Sequence, residues 1–325
     1  MAPMPPPLRP SPPPPGRWRR TPPAVFTPIL GLLGLGLAWR GTHQAWSVAL
    51  GDLILGVGAM LFAFALVAWL AKPLRRPGVV IDEMAVLPGR AGMAAMTLSA
   101  LVLAAALVPH APRMALAVSV LAVLAHAGLA ALHLRLILTG PVEARTPTPV
   151  WHLAFVGFII AALSWGPLGV PGAATVMAVT VPVAVAIWAV SLWQLIRRIP
   201  PAPLRPLLAI HLAPASLFAS VAIGLEMPGL ATGFLILGGA ILLALLLAGR
   251  WIVEAGFSPL WGAFAFPLAA YASALWAAVG AGVPVRGIAA LVLVAATLAI
   301  PPILVRVLRL WARGELAVRT NAATA

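Results

Sequence analysis

From residue 24 to residue 311 this chain is a succession of ten apolar runs with almost no charge inside them, and few folds can accept that pattern. The runs occupy about 24–39, 46–71, 91–109, 113–138, 149–169, 172–196, 204–225, 229–249, 257–280 and 284–311. Roughly 20 apolar residues are what an α-helix needs to cross a bilayer. Only 9% of the residues are charged, against about 25% in a soluble domain. The expected fold class is therefore an all-α integral membrane protein with ten transmembrane helices in one domain. The 29 glycines and the many alanines fit helices that pack by close backbone approach.

The ends differ from the middle. Residues 1–23 hold eleven prolines, with Arg17, Arg19 and Arg20 near their close, and read as a disordered, Pro-rich cytoplasmic tail rather than a signal peptide. Residues 24–312 form the transmembrane domain, and 313–325 a cytoplasmic C-terminal tail. Alternate connections carry unequal charge. The N-terminal tail, the connections after the second, fourth, sixth and eighth runs, and the C-terminal tail, together with the run ends that adjoin them, hold 18 of the 21 Lys and Arg residues. The other side has Arg40, Arg113 and Arg286. Basic residues mark the cytoplasmic side, so both termini are expected there, in a multi-pass protein of the inner (plasma) membrane. The net charge of +14 is thus spent on anchoring. The basic residues form no continuous patch, and no nucleic-acid partner is expected.

The runs group into five helical hairpins at a spacing of roughly 50–65 residues. Pro214-Ala-Ser-Leu-Phe218-Ala219-Ser220 in the seventh run resembles Pro267-Leu-Ala-Ala-Tyr271-Ala272-Ser273 in the ninth, which suggests equivalent roles. Pro28, Pro214 and Pro267 fall in the first, seventh and ninth runs, Gly157 in the fifth, and Thr97 and Ser99 in the third. A proline inside a span frees a backbone carbonyl, tolerated where it faces protein or a water-filled cavity. These residues therefore mark the odd helices as an inner, pore-lining ring, although Pro182 and Pro301-Pro302 in even runs are exceptions.

Side chains for acid–base chemistry are scarce. There are seven acidic residues and no cysteine, which excludes disulfides and thiolate sites, and no enzyme activity is expected. Gly31, Gly34 and Gly36 look like a nucleotide loop but sit in an apolar span, where helix packing explains them. His126 and His133 share one helix face without a third ligand; no metal or cofactor is expected, and His133 reads as an interfacial end cap. His152 and His211 are candidates for a polar pore mouth, equally well read as hydrated helix-end residues. Asp52 is expected to pair with Arg40.

The segments 31–40, 89–107, 148–169, 204–218 and 257–274 resemble the tellurite-resistance/dicarboxylate transporter (TDT) family. That family includes TehA-like bacterial proteins, malic acid transporters and plant guard-cell slow anion channels. The strongest match is Trp261-x-x-Phe264-x-Phe266-Pro267. The resemblance implies five hairpins in a quasi-fivefold ring around a central pore, odd helices innermost, and a homotrimer with one pore per protomer. It also implies an aromatic gate, carried over to Phe266 with Phe264 as second candidate. The function implied is passage of small anions through a phenylalanine-gated pore. The alternative is proton-coupled transport of a dicarboxylate or oxyanion such as malate, sulfite or tellurite; a non-transporting scaffold is a third reading. A divalent-anion carrier should show Arg or Lys buried within the odd spans, and none is visible in their interiors.

Overall fold

The computed structural model describes residues 18–325, apart from the side chains at 142 and 143. Most of the expected Pro-rich tail, up to residue 17, lies outside the described residues. The spans are α1 (Pro23–Arg40), α2 (Ala45–Arg75), α3 (Leu87–Leu107), α4 (Pro112–Thr139), α5 (His152–Trp165), α6 (Ala173–Arg197), α7 (Ala202–Gly224), α8 (Pro228–Leu247), α9 (Pro259–Gly280) and α10 (Arg286–Ala312). Nine of these, among the described residues, are long and apolar enough to cross a membrane; α5 is the shorter tenth. It begins as a π-helical turn, His152–Val156, tightens to a 3-10 helix at Gly157–Ala161, and becomes α-helical only at Ala162–Trp165.

The odd and even helices form two shells. Within four of the odd spans the most apolar stretch is mostly buried: 78% in α1, 72% in α3, 72% in α7 and 67% in α9. In the even spans the figures run from 17% in α8 to 39% in α10. Neighbour relations close the inner shell into a ring of five, α1–α3–α5–α7–α9 and back to α1, and each even helix packs on its own hairpin partner. Glycines set the closest approach in this ring. A methyl group at Gly31 would overlap the Ala265 backbone, and one at Gly34 would press on Phe266 and Ala269.

Three features depart from the reading of the chain. The α2–α3 connection contains a further helix, Val79–Ala85. Its Glu83 forms a fully buried ion pair with Lys72 of α2, whose Nζ also donates to the Thr21 carbonyl at 3.0 Å. The residues after α10 do not run free. A short helix, Glu315–Arg319, buries Leu316 and Ala317, and beyond it Arg20 Nε donates to Thr324 Oγ1 at 3.3 Å. Finally, Arg90 lies inside α3 and is buried, so an odd span does contain a buried cation. On the opposite face Arg40 Nε donates to Asp52 Oδ1 at 2.8 Å, the pairing expected for that acid.

Candidate functional site

Among the described residues, three cavities can be followed within the ring. At the end where the odd helices begin, beside the basic connections, a cavity of about 30 Å³ is lined by residues such as Ala24, Leu30, Pro88, Leu207 and Leu260. At the other end a cavity of about 510 Å³ opens among the last turns of the same helices, at Leu37, Ala105, Gly224 and Ala277. Between them a pocket of about 10 Å³ touches Leu98, His152, Gly157 and Pro214. Phe266 lines all three. It is 5% exposed, and its ring rests where Gly34 of α1 leaves room for it. One ring thus borders both a wide vestibule and a narrow apolar neck.

The other expected site residues divide. Pro267 lines the narrow end and Pro214 and Gly157 the central pocket. Phe264 turns away from these cavities and packs edge-on against Trp261, ring centroids 5.8 Å apart. Pro28 is buried in the first turn of the α-helical part of α1, against the backbone at Gly262, and lines none of them. In a first turn its missing N–H costs no helical hydrogen bond. Thr97 and Ser99 also stand off the cavities. Thr97 Oγ1 bonds the Ala94 carbonyl at 2.9 Å and His126 Nδ1 at 2.8 Å, tying α3 to α4, and Ser99 returns to the Ala95 carbonyl at 2.7 Å. A helical hydroxyl can satisfy itself on its own backbone, so its presence in an inner span does not fix the face it takes.

The two histidines expected at a mouth meet in the interior. His152 Nε2 lies 3.0 Å from His211 Nδ1, and the rings stand perpendicular at 5.0 Å. The Trp188 indole of α6 donates to the His211 carbonyl at 3.2 Å, in the turn before Pro214. His133 is not an interfacial cap, for it is buried and stacks on Phe155 at 5.2 Å. Arg90 points away from the cavities, donating to the Ala144 carbonyl at 3.3 Å while its neighbours Pro88 and Ala91 line the neck.

The repeated motif shows the same division of labour in α7 and α9. Ser220 and Ser273 both line the vestibule. Phe218 and Tyr271 both turn outward onto α8, the first against Phe234 at 5.0 Å, the second donating its hydroxyl to the Leu235 carbonyl at 3.0 Å.

A family model described as the voltage-dependent anion channel, SLAC1, matches residues 20–308. The chain belongs to the SLAC1 family. It is thus a multi-pass membrane protein of a family that transports anions across membranes, and the family is one of channels and transporters rather than enzymes. No curated protein matches the chain. In a SLAC1-family context the vestibule is notable for what lines it: the hydroxyls of Ser220 and Ser273, Ala and Gly residues, Leu and Val side chains and Phe266, with no charged side chain among them.

Proposed function

We propose that the chain is a passive pore for small monovalent anions, lined by the odd helices and gated by Phe266. The observation that carries this reading is the shared position of Phe266 on all three cavities of a SLAC1-family ring. A divalent dicarboxylate or oxyanion would have to shed a large hydration energy against walls without a Lys or Arg, which disfavours the proton-coupled carrier of such substrates. Residues 24–312 make up the transmembrane unit in this reading. The basic connections face the cytoplasm with both termini, and the membrane is the plasma membrane. Three protomers associate through the lipid-exposed even helices, so that each keeps its own pore; native mass measurement in mild detergent should return a trimer.

The gate is tested by chloride efflux from liposomes holding the purified protein. Phe266→Ala should fold normally and raise the flux about tenfold or more, because it joins vestibule and neck. Phe264→Ala, which removes a ring packed on Trp261, should change flux far less. Unchanged efflux from folded Phe266→Ala, or a larger gain from Phe264→Ala, overturns the assignment.

A further inference from the structure

His152 is the one ionisable side chain among the residues lining the three cavities. It meets the central pocket beside Phe266 and is bonded from behind to His211. The nitrogens not used in that contact, His152 Nδ1 and His211 Nε2, are both buried with no hydrogen-bond partner among the described residues. The pair is also held from outside the ring, since Trp188 of α6 packs its indole 5.5 Å from the His152 ring and donates to the His211 carbonyl. Two histidines 59 residues apart, held by a third helix, leave two unpaired nitrogens in an apolar wall, and one of the two rings borders the central pocket.

We propose that His152 and His211 form a proton-linked binding site for one small monovalent anion, such as chloride or nitrate, inside the pore. The inference rests on the pore reading above and adds what the anion meets within it. In the neutral pair one N–H is shared between Nε2 of His152 and Nδ1 of His211. Of the two remaining nitrogens one is then a donor and the other an acceptor. One added proton makes both of them donors and gives the pair a single positive charge. A buried charge is costly without a counter-charge, and the described side chains around the pair supply none. The neighbouring helices contribute Leu98 from α3, Trp188 from α6 and Phe266 from α9. His126, across α5, is engaged with Thr97, and Arg205, earlier on α7, with Glu254. An anion in the central pocket is the partner that the charged pair lacks. Proton and anion therefore bind together, and each raises the affinity for the other by the same factor.

Chloride efflux from liposomes between about pH 5.5 and pH 7.5 tests the proposal. It is measured for the protein as it stands and in the Phe266→Ala background, each with and without His152→Gln or His211→Gln. Flux through the histidine-containing proteins should rise about threefold to tenfold for each unit of acidification while the pair is mostly neutral. Either glutamine variant should flatten the profile. A second reading does not depend on conduction: chloride added to the detergent-solubilised protein in weak buffer should draw protons from solution, and His152→Gln should abolish that uptake. An unchanged pH slope in a folded glutamine variant, a flat profile in the parent protein, or no chloride-linked proton uptake overturns the inference and leaves the pore standing. Absence of chloride flux from every protein, Phe266→Ala included, overturns the pore reading and this inference with it.

Discussion

The inner and outer helices of this bundle are written in the same apolar residues, yet they are built differently. The outer helices α2, α4, α6, α8 and α10 are regular over their whole length, and α-helical geometry survives even Pro182 in α6 and Pro301-Pro302 in α10. Four of the five inner helices instead start with a stretch that is not α-helical: Pro23–Val25 in α1, His152–Ala161 in α5, Ala202–His211 in α7 and Pro259–Trp261 in α9. Irregular backbone at membrane depth survives only where protein or a water-filled cavity receives its polar groups. An outer helix faces lipid and has no such receiver. In α7 the receiver is visible, because the Trp188 indole takes the His211 carbonyl. The contrast teaches that irregularity here follows from burial, and that it gathers on the helices that line the cavities.

The sharpest way to break the comparison is at the place where an outer helix behaves like an inner one. Lys72, at the end of α2, is wholly buried with Glu83. Lys72→Met should cost about 3–5 kcal/mol by leaving Glu83 buried and unpaired. Lys72→Met with Glu83→Gln should restore most of that, both read as thermal unfolding in mild detergent. If the single variant melts like the parent protein, the pair is not sealed from water and α2 is an ordinary outer helix to its end.

A smaller effect sharpens the same contrast. Leu33 in α1 is fully buried, whereas Leu124 in α4 is 64% exposed toward the surroundings of the bundle. Leu33→Ala should destabilise by about 2–5 kcal/mol, because it leaves a cavity among packed helices. Leu124→Ala should stay within about 0.5 kcal/mol. Equal losses at the two positions would mean that the shells are not distinct in packing.

Glycine gives the smallest test and one with opposite signs. A methyl group at Gly31 runs into Ala265, so Gly31→Ala should cost about 1–3 kcal/mol. At Gly56 of α2 nothing lies within 4 Å, and Gly56→Ala should gain up to about 1 kcal/mol of helix propensity. Melting temperatures that move the same way in both variants would refute the division.

Particular residues show how far the sequence could be read. The packing role of Gly31 and Gly34 and the pairing of Arg40 with Asp52 followed from composition and from their place in the spans. Phe266 was legible only through its resemblance context, Trp261-x-x-Phe264-x-Phe266-Pro267, because a phenylalanine in an apolar helix has no local mark of direction. Thr97 and Ser99 misled because a hydroxyl on an inner helix can face its outer partner, as Thr97 faces His126. Arg90 stands one residue before the apolar run that begins at 91, and the helix takes it in because its start at Pro88 suits a first turn. The helix Val79–Ala85 corresponds to a short apolar stretch in a charged connection, with the acid Glu83 that the buried lysine needs.

By itself, the sequence determined that this chain crosses a membrane many times, where most spans lie, and that one face is far more basic than the other. Those properties follow from transfer free energy and charge, which add along the chain and can be read locally. Tertiary structure alone decided which wall each side chain joins. A helix that is apolar all round carries no moment to show its inward face, so rotation about its axis is set by packing against its neighbours. The meeting of His152 with His211, and of Trp39 with Thr297 at 3.0 Å, joins residues 59 and 258 positions apart. Periodicity within either helix gives no hint of such pairs, because each exists only once the ring has closed.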